Sequence, residues 1–371
     1  MNRLRIALAS VGCVIALCAA QEAPRATRPL PLKVVGTNLQ NSAGAPVRLR
    51  GVNTASMEWT SDGEGHILET VMTALRDWHA NVIRLPLSQD RWFGKAPEQT
   101  DKGKYYRILV RQVVDAVSLE GGYIILDLHW SNAGDWGKNI GQHFMPDENS
   151  LSFWVDVAEA YKNHPAVLFG LYNEPHNVGW DIWQKGGQVT EKATRKTPVK
   201  TYKAVGMQSL LEAVRGTGAL NVVIVGGLDW AYDYSGILAG RQLADPDGNG
   251  VLYDNHAYPN KGDTVERWIA KMETAAKDLP VFVGEFGPEP RRGTGVEKDE
   301  IWVRHVLQAL KDHDWNWAAW DMHPAAGPRL ILNFQCEPTP GFGKWVKQAL
   351  DGTLPPYTPP TAKRTARESG R

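Results

Sequence analysis

Two glutamates stand where an acid is hard to justify structurally. Glu174 closes the apolar run VLFGLYNE and Glu285 closes VFVGEF. A carboxyl buried at the end of such a run is costly unless it is paired or used. Two of them are the equipment for cutting a glycosidic bond: one carboxyl protonates the leaving oxygen, the other attacks the anomeric carbon or activates water. Other polar side chains end apolar runs all along the chain: Asn53, Arg84, His129, Asn173, His256 with Tyr258, and Trp320. The chain also holds 15 tryptophans. An indole is a flat apolar plate with one polar edge, suited to core packing and equally to stacking on a sugar ring. Trp78, Trp154, Trp268, Trp302 and Trp345 fall in helical patterns and read as core. Trp59, Trp92, Trp130, Trp136, Trp180, Trp183 and Trp230 fall near strand ends or in loops, where a site could use them; Trp130, Trp136, Trp180 and Trp230 are the candidate subsite aromatics.

The elements that carry these residues are short, nearly continuous apolar runs, as parallel strands buried on both faces require. Expected strands are 47–53, 81–87, 123–130, 167–175, 221–227, 251–258, 280–286 and 315–323. Helical patterns at 67–80, 105–119, 150–163, 201–215, 264–276, 299–313 and 342–350 separate most of them, and the link after the fifth strand is poorly patterned. Eight strands in β–α order predict a (β/α)8 TIM barrel with elaborated loops on its C-terminal face. A doubly wound open sheet is the alternative. It would gather its polar groups at one switch point, and no glycine-rich phosphate loop follows the first strand. Residues 32–46, with a turn expected at Asn41–Gly44, predict a small N-terminal β-hairpin that plugs the barrel's bottom.

Charge and cysteines narrow the partners. Lys plus Arg and Asp plus Glu both number 41 in 371 residues, so nothing draws the chain to nucleic acid or an anionic membrane. Residues 1–20 read as a signal peptide: Arg3 and Arg5 precede the apolar run Ile6–Ala20, which is short for a spanning helix. Cys13 and Cys18 lie inside it without a convincing lipobox, so lipoprotein anchoring ranks below plain secretion, extracellular or periplasmic. Cleavage would leave Cys336 alone, without a disulfide or a cysteine metal site. Residues 21–31 form a Pro/Arg-rich spacer and 354–371 a Pro-rich, then basic, tail, both expected to be disordered around a catalytic domain at 32–353. Asp127, His129, His143, His176 and His256 could in principle ligate a metal, but they follow no metal-binding spacing. No cofactor or metal is expected, and a monomer is the default.

Taken in order, RGVN (50–53), NVIRLPL (81–87), LDLHW (126–130), YNEP (172–175), HAYP (256–259) and GEFG (284–287), followed by Trp320, resemble glycoside hydrolase family 5, the cellulase-type retaining barrel glycosidases. The resemblance runs from about residue 33 to about 350. It implies Glu174 as acid/base and Glu285 as nucleophile. It also implies Asn173 on the sugar 2-hydroxyl, Arg84 and Tyr258 beside Glu285, His129 and His256 lining the same subsite, and Trp320 as its stacking floor. His256 is expected to hold Glu174 protonated, with the Glu174 pKa raised and that of Glu285 lower. The resulting expectation is a retaining endo-β-glycanase acting on polysaccharide, first of all an endoglucanase on β-1,4-glucan. β-Mannan and xyloglucan are rival substrates, and a non-catalytic carbohydrate-binding barrel is the rival from another class.

Overall fold

The computed structural model describes residues 28–134, 140–193, 198–289 and 296–357. The expected signal peptide, most of the spacer, nearly all of the tail and the candidate Trp136 lie outside the described residues. No described helix is long and apolar enough to cross a membrane.

A hairpin, β1 (Leu32–Val35) and β2 (Asn38–Asn41), precedes the barrel. The barrel strands follow: β3 (Arg50–Asn53), β4 (Val82–Ser88), β5 (Tyr123–Trp130) and β6 (Val167–Gly170). A second hairpin, β7 (Gly186–Glu191) and β8 (Lys200–Val205), interrupts them. Then come β9 (Val223–Gly226), β10 (Val251–Ala257), β11 (Val281–Phe286) and β12 (Asn316–Ala319). The eight barrel strands close in the order β3-β4-β5-β6-β9-β10-β11-β12, β12 pairing back onto β3, with every pair parallel. This is the expected (β/α)8 barrel.

Side-chain alternation sorts each strand into two faces. Leu49, Val82, Ile125, Leu168, Ile224, Leu252, Phe282 and Ala318 fill the lower interior, and Leu32 and Leu39 of the hairpin join them from below. The hairpin is therefore the bottom plug. Its turn sits at Gly36–Thr37, where Gly36 supplies a φ of 60°, and not at Asn41–Gly44. The latter is a second turn, in which the Asn41 side chain accepts the N–H groups of Ala43 and Ala45 and leads the chain toward β3. The outward faces, among them Ile83, Leu85, Ile124, Leu126, Val281 and Val283, pack under the helix layer.

Two further expectations need correction. The helix placed at 201–215 begins at Met207 and runs to Gly216, because residues 200–205 pair with β7 instead. Alternation of Tyr202 and Ala204 toward the protein overrode the helical reading. The fourth and eighth barrel strands stop at Gly170 and Ala319, short of the predicted 175 and 323. Their continuations leave the wall at the rim, and they carry Asn173, Glu174 and Trp320 into the top of the barrel.

Gly51 marks how closely β3 and β4 approach: a Cβ there would lie 1.8 Å from the Val82 carbonyl oxygen. Gly51→Ala must push two barrel strands apart. The expected cost is about 3 kcal/mol, the upper end for overpacking, read as a lower urea midpoint; an unchanged midpoint would show that this part of the wall yields freely.

Candidate active site

The site is built on inward-facing residues directly above the apolar interior. On β4 that position is Arg84, two residues after Val82. On β5, Asp127 and His129 follow Ile125, and on β10, Asp254 and His256 follow Leu252. Arg84 is buried and reaches partners on or just beyond four other strands. Its Nη1 donates to Glu285 Oε1 (2.7 Å) and Asn53 Oδ1 (2.9 Å), and its Nη2 donates to Asn173 Oδ1 (2.7 Å) and lies 3.0 Å from Asp127 Oδ2. Burial opposes its charge, but Asp127, Glu285 and Asp254 outweigh that and hold it cationic.

Glu285 is fixed at both oxygens. Oε1 takes Arg84, Oε2 accepts the Tyr258 hydroxyl at 2.8 Å, and His256 Nδ1 stands 3.5 Å from Oε2. Burial and the Glu285 charge push the Tyr258 phenol well above its ordinary range, so it remains a donor. Glu174 is held more loosely. His256 Nδ1 donates to its Oε1 at 3.0 Å, and its side chain is 20% exposed against 5% for Glu285. Its backbone is unusual, with a φ of 53° ahead of Pro175. Such strain persists only where neighbours over-determine it. Here Gln142 Nε2 donates to the Asn173 and Glu174 carbonyls (2.6 and 3.2 Å), and His176 Nδ1 donates to the Glu174 carbonyl (2.7 Å). Both clamps come from the loop regions after β5 and β6.

The two histidines are set alike. His129 Nδ1 donates to Asp127 Oδ2 at 2.8 Å, leaving Nε2 as acceptor for the Asn173 side-chain amide at 3.4 Å. His256 donates through Nε2 to Asp254 Oδ2 at 3.2 Å. Burial disfavours a charge on His256, yet Glu285 and Asp254 outweigh it and push its pKa up to about 10. The same proton settles Glu174. Burial would raise its pKa, but the hydrogen bond and charge of His256, with His129 and His176, hold it below the ordinary carboxylate value. The expected raised Glu174 pKa is thus corrected: in the free site His256 carries the proton and Glu174 is the anion bonded to it.

Aromatic residues sort by packing. Trp320 stacks on His129 (centroids 5.2 Å, 13° between planes) and packs against the cluster of Ala55, Trp59, Trp130 and Ala326 at the rim. Trp315 and Trp317 are buried on Trp268 and Phe286, so only the third tryptophan of that strand faces the site. Trp230 is 37% exposed and stacks flat on His176 (4.5 Å, 13°), with the Lys261 ammonium 4.8 Å from its ring centre. Trp92 and Trp183 are buried, donating to Asp156 and to the Gly226 carbonyl, and are structural rather than available to a ligand. Trp180 packs edge-on against Trp183 and over Gly236, which gives it a packing job as well.

Several site residues take roles that the sequence did not assign to them. Asp127 and Asp254 support the two histidines, and the signal was present as Asp-x-His on two strands, since residues two apart share a face. Glu58 and Asp321 are buried acids shifted toward their protonated forms: burial pushes Glu58 up to about 7, and burial, with Glu58 and Glu285 nearby, pushes Asp321 well above the carboxylate range. Glu64 accepts the Trp59 indole N–H at 2.8 Å and pairs with His323 at 3.0 Å, steadying the rim. No local pattern announces these contacts.

Among the described residues, one group has metal-like donors: Glu174, His256 and Glu285, with one ligand atom each within 4.8 Å of one another. These are the two rim carboxylates and the histidine between them.

The chain matches the model of the cellulase family, glycosyl hydrolase family 5, over residues 40–326. It is 26% identical over 296 residues to Endoglucanase MaCel5A of Microbulbifer sp. (strain ALW1), covering 78% of this chain and 50% of that protein. It is 24% identical over 299 residues to Endoglucanase E-5 of Thermobifida fusca, covering 78% and 55%. The chain spans about half the length of the curated relatives it matches. Its fold superposes on the crystal structure of β-glucanase SdGluc5_26A from Saccharophagus degradans in complex with cellotetraose, with a TM-score of 0.67, 19% identity, and 89% and 95% of the two chains covered.

Arg84→Met tests the buried network. Asp127 is held below its ordinary pKa: burial raises it, but Arg84 and His129 more than offset that. A depressed folded pKa contributes stability above the unfolded value and loses it as pH falls. The variant should therefore lose about 3–5 kcal/mol at neutral pH, as for a broken buried ion pair. The deficit should narrow below about pH 4, where the unfolded carboxylates protonate. Denaturant melts of both proteins across pH check this; a pH-independent deficit would assign the cost to packing alone.

Proposed function

Because the chain belongs to the cellulase family, glycosyl hydrolase family 5, we propose that it is a retaining endo-β-1,4-glucanase with Glu285 as nucleophile and Glu174 as acid/base. The observation that carries the reading is the closeness of the two carboxyls, one oxygen of each lying within 4.8 Å of one oxygen of the other. A retaining site holds its carboxyls about 5–5.5 Å apart, whereas an inverting site needs roughly 6.5–9.5 Å to admit a water. A binding protein has no use for this arrangement.

The asymmetry of the pair assigns the roles. Glu285 is locked by Arg84 and Tyr258, one on each carboxyl oxygen, which keep it aimed as an attacking group must be. Glu174 keeps one oxygen free of protein partners among the described contacts and is the more exposed, as a group that meets the glycosidic oxygen must be. In the first step Glu285 bonds to the anomeric carbon, the carbon–oxygen bond to the leaving sugar breaks, and Glu174 delivers a proton to that oxygen. That proton is the one His256 passes to Glu174 across their hydrogen bond, so the step ends with neutral His256 beside a Glu174 carboxylate. In the second step Glu174 takes a proton from water as the water's oxygen bonds the anomeric carbon and releases Glu285. Asn173, oriented by Arg84 and His129, offers its amide to the 2-hydroxyl, a contact that tightens in the transition state.

Aromatic placement supports a long glucan chain. Trp320, with Trp59 and Trp130 behind it, supplies the stacking face on the side of β3, β5 and β12. Trp230 stands beside Glu174 on the side of β9, opposite β3 in the barrel order. Platforms on both sides of the scissile bond suit internal cleavage. The relatives named endoglucanases favour glucan as the sugar. The apolar segment Ile6–Ala20 behind two arginines supports export, and a secreted monomer without cofactor completes the reading.

Reducing-sugar release from carboxymethylcellulose, lichenan, galactomannan, xyloglucan and xylan identifies the substrate, with the glucans expected first. Glu285→Gln should still bind cello-oligosaccharide while turnover falls by several orders of magnitude. NMR of the first product formed should show the β-anomer; initial α-product overturns the retaining assignment. In His256→Gln the basic limb of kcat/KM should move down by more than about one pH unit, because the shared proton loses its holder. An unmoved limb would mean that Glu174 keeps its own proton.

A further inference from the structure

The alternation along β11 contains a break that the nucleophile depends on. Val281 and Val283 face outward into the helix layer and Phe282 faces the barrel interior. Continued alternation would turn residue 284 inward and residue 285 outward, beside Val283. Glu285 instead faces inward, and Phe286 lies in the outer layer. The pairing with β10 shows why: Asp254 stands opposite Phe282, but His256, two residues on, stands opposite Glu285, three residues on. β11 carries one extra residue at this point, and a one-residue slip exchanges the faces of everything beyond it.

A bulge leaves backbone groups without ladder partners, and in a buried wall they must be satisfied. At Gly284 both are met by side chains. Its N–H donates to Asp254 Oδ1 at 2.6 Å, and its carbonyl accepts the Asn53 amide at 2.9 Å. The Asp254 carboxylate lies so close that a Cβ on residue 284 would stand 2.4 Å from both of its oxygens, so the position is cut for glycine. The second Asp254 oxygen receives His256 Nε2. One buried carboxylate thus joins the bulge on β11 to the histidine that faces both glutamates.

We propose that Asp254 is a positioning residue for the nucleophile: by holding the Gly284 N–H it fixes the extra residue in β11 and so turns Glu285 into the barrel, opposite His256. It touches no substrate and acts through Glu285 and His256. The proposal rests on the assignment of Glu285 as nucleophile. The groups facing His256 are Glu174 from the rim segment after β6, Glu285 from β11 and Asp254 from its own strand, with Asp127 of β5 and Arg84 of β4 completing the charged surroundings. Asp254 is therefore also one of the anions that keep a proton on His256.

Two substitutions separate the two jobs. Asp254→Asn retains an oxygen that can accept the Gly284 N–H but removes the charge. Asp254→Ala removes both. With an aryl cellobioside as substrate, Asp254→Ala should lower kcat by about 100-fold, the scale of a small misplacement of a reacting group, while KM changes little. Asp254→Asn should lose far less at its own optimum, but its basic limb of kcat/KM should move down by about one pH unit as His256 loses an anionic neighbour. A purely structural residue would lower thermal stability in both variants and move neither the kcat-against-KM split nor the limb. Labelling by a 2-deoxy-2-fluoro-β-cellobioside, which traps the nucleophile as its ester, keeps two failures apart. A wild-type protein that is never labelled sinks the hydrolase reading itself. Labelling of wild type and Asp254→Ala at the same rate overturns the positioning role. Should Asp254→Ala fail to fold, Gly284→Ala decides the positioning role: labelling at the wild-type rate overturns the proposal, and slowed labelling while Asp254→Asn labels near normally supports it. Gly284→Ala supplies an independent check, since its added Cβ must displace Asp254. It should slow labelling in the wild-type background and cost little more in Asp254→Ala, a non-additivity that two unconnected sites would not show.

Discussion

A single buried cation organises the upper half of this barrel. Arg84 lies where water cannot reach it, so its charge must be answered by the protein, and an unanswered guanidinium there would cost several kcal/mol. The answer is drawn from Asn53, Asp127, Asn173 and Glu285, on or just beyond four different strands. Each of those residues is held at the reach of one planar fork, and the fork in turn holds the strand ends at a common height. The barrel below is filled by Leu, Ile, Val and Phe side chains that specify volume only. It is the charged layer above them that fixes which side chain points where.

That layer treats its two rim carboxyls differently, and the difference follows from chain geometry. Glu285 sits within a strand, flanked by ladder pairs, and has donors on both oxygens. Glu174 sits past the end of β6 on a left-handed residue before proline, clamped through its backbone by Gln142 and His176 while its carboxyl is held by one histidine. Backbone clamping places the acid accurately and leaves its side chain room to move. The second hairpin contributes to this at a distance. Glu191 of β7 accepts the Phe144 N–H and pairs with His143, steadying the loop segment from which Gln142 reaches the Asn173 and Glu174 carbonyls.

Much of this was legible in the sequence because barrels convert chain order into position. Continuous apolar runs located eight strands, and the polar residue closing each run was necessarily at the rim, so Glu174, Glu285, Arg84, His256 and Tyr258 could be named together. What could not be read was anything set by contact between distant segments. Trp92 and Trp183 sit in segments that look like loops, yet each is buried by partners far along the chain. Residues 200–205 have a Lys/Thr-rich composition that fits a helix start, and only pairing with β7 makes them a strand. The supporting roles of Asp127 and Asp254 could not be read from their strands, because the histidine above each and the glycine beside each are meaningful only once the strands are adjacent. The slip in β11 is the sharpest case: VFVGEF gives no sign that its alternation breaks at Gly284, and without the break the glutamate would face the helices. The proton's place on His256 was missed for the same reason, since it depends on three carboxylates converging on one ring.

That convergence has a consequence for the reaction on the proposed assignment. Before attack, Glu285 carries one negative charge, while His256 and Glu174 together carry none, one being cationic and the other anionic. When the glycosyl ester forms, Glu285 loses its charge, and the pair gives up one proton to the leaving oxygen, ending as neutral imidazole beside a carboxylate. The total charge of the buried cluster is the same before and after. In a medium that stabilises new charge poorly, a step that creates none avoids the largest penalty the site could impose. The coupling also runs in the useful direction. Glu285 is the foremost charge holding a proton on His256, so its conversion to an ester loosens that proton just as the departing oxygen needs it. The hydrogen bond between His256 and Glu174 then leaves Glu174 ionised and ready to take a proton from water when the ester is hydrolysed. Return of the Glu285 carboxylate restores the field that recharges the histidine, and the cluster is reset by the same electrostatics that discharged it.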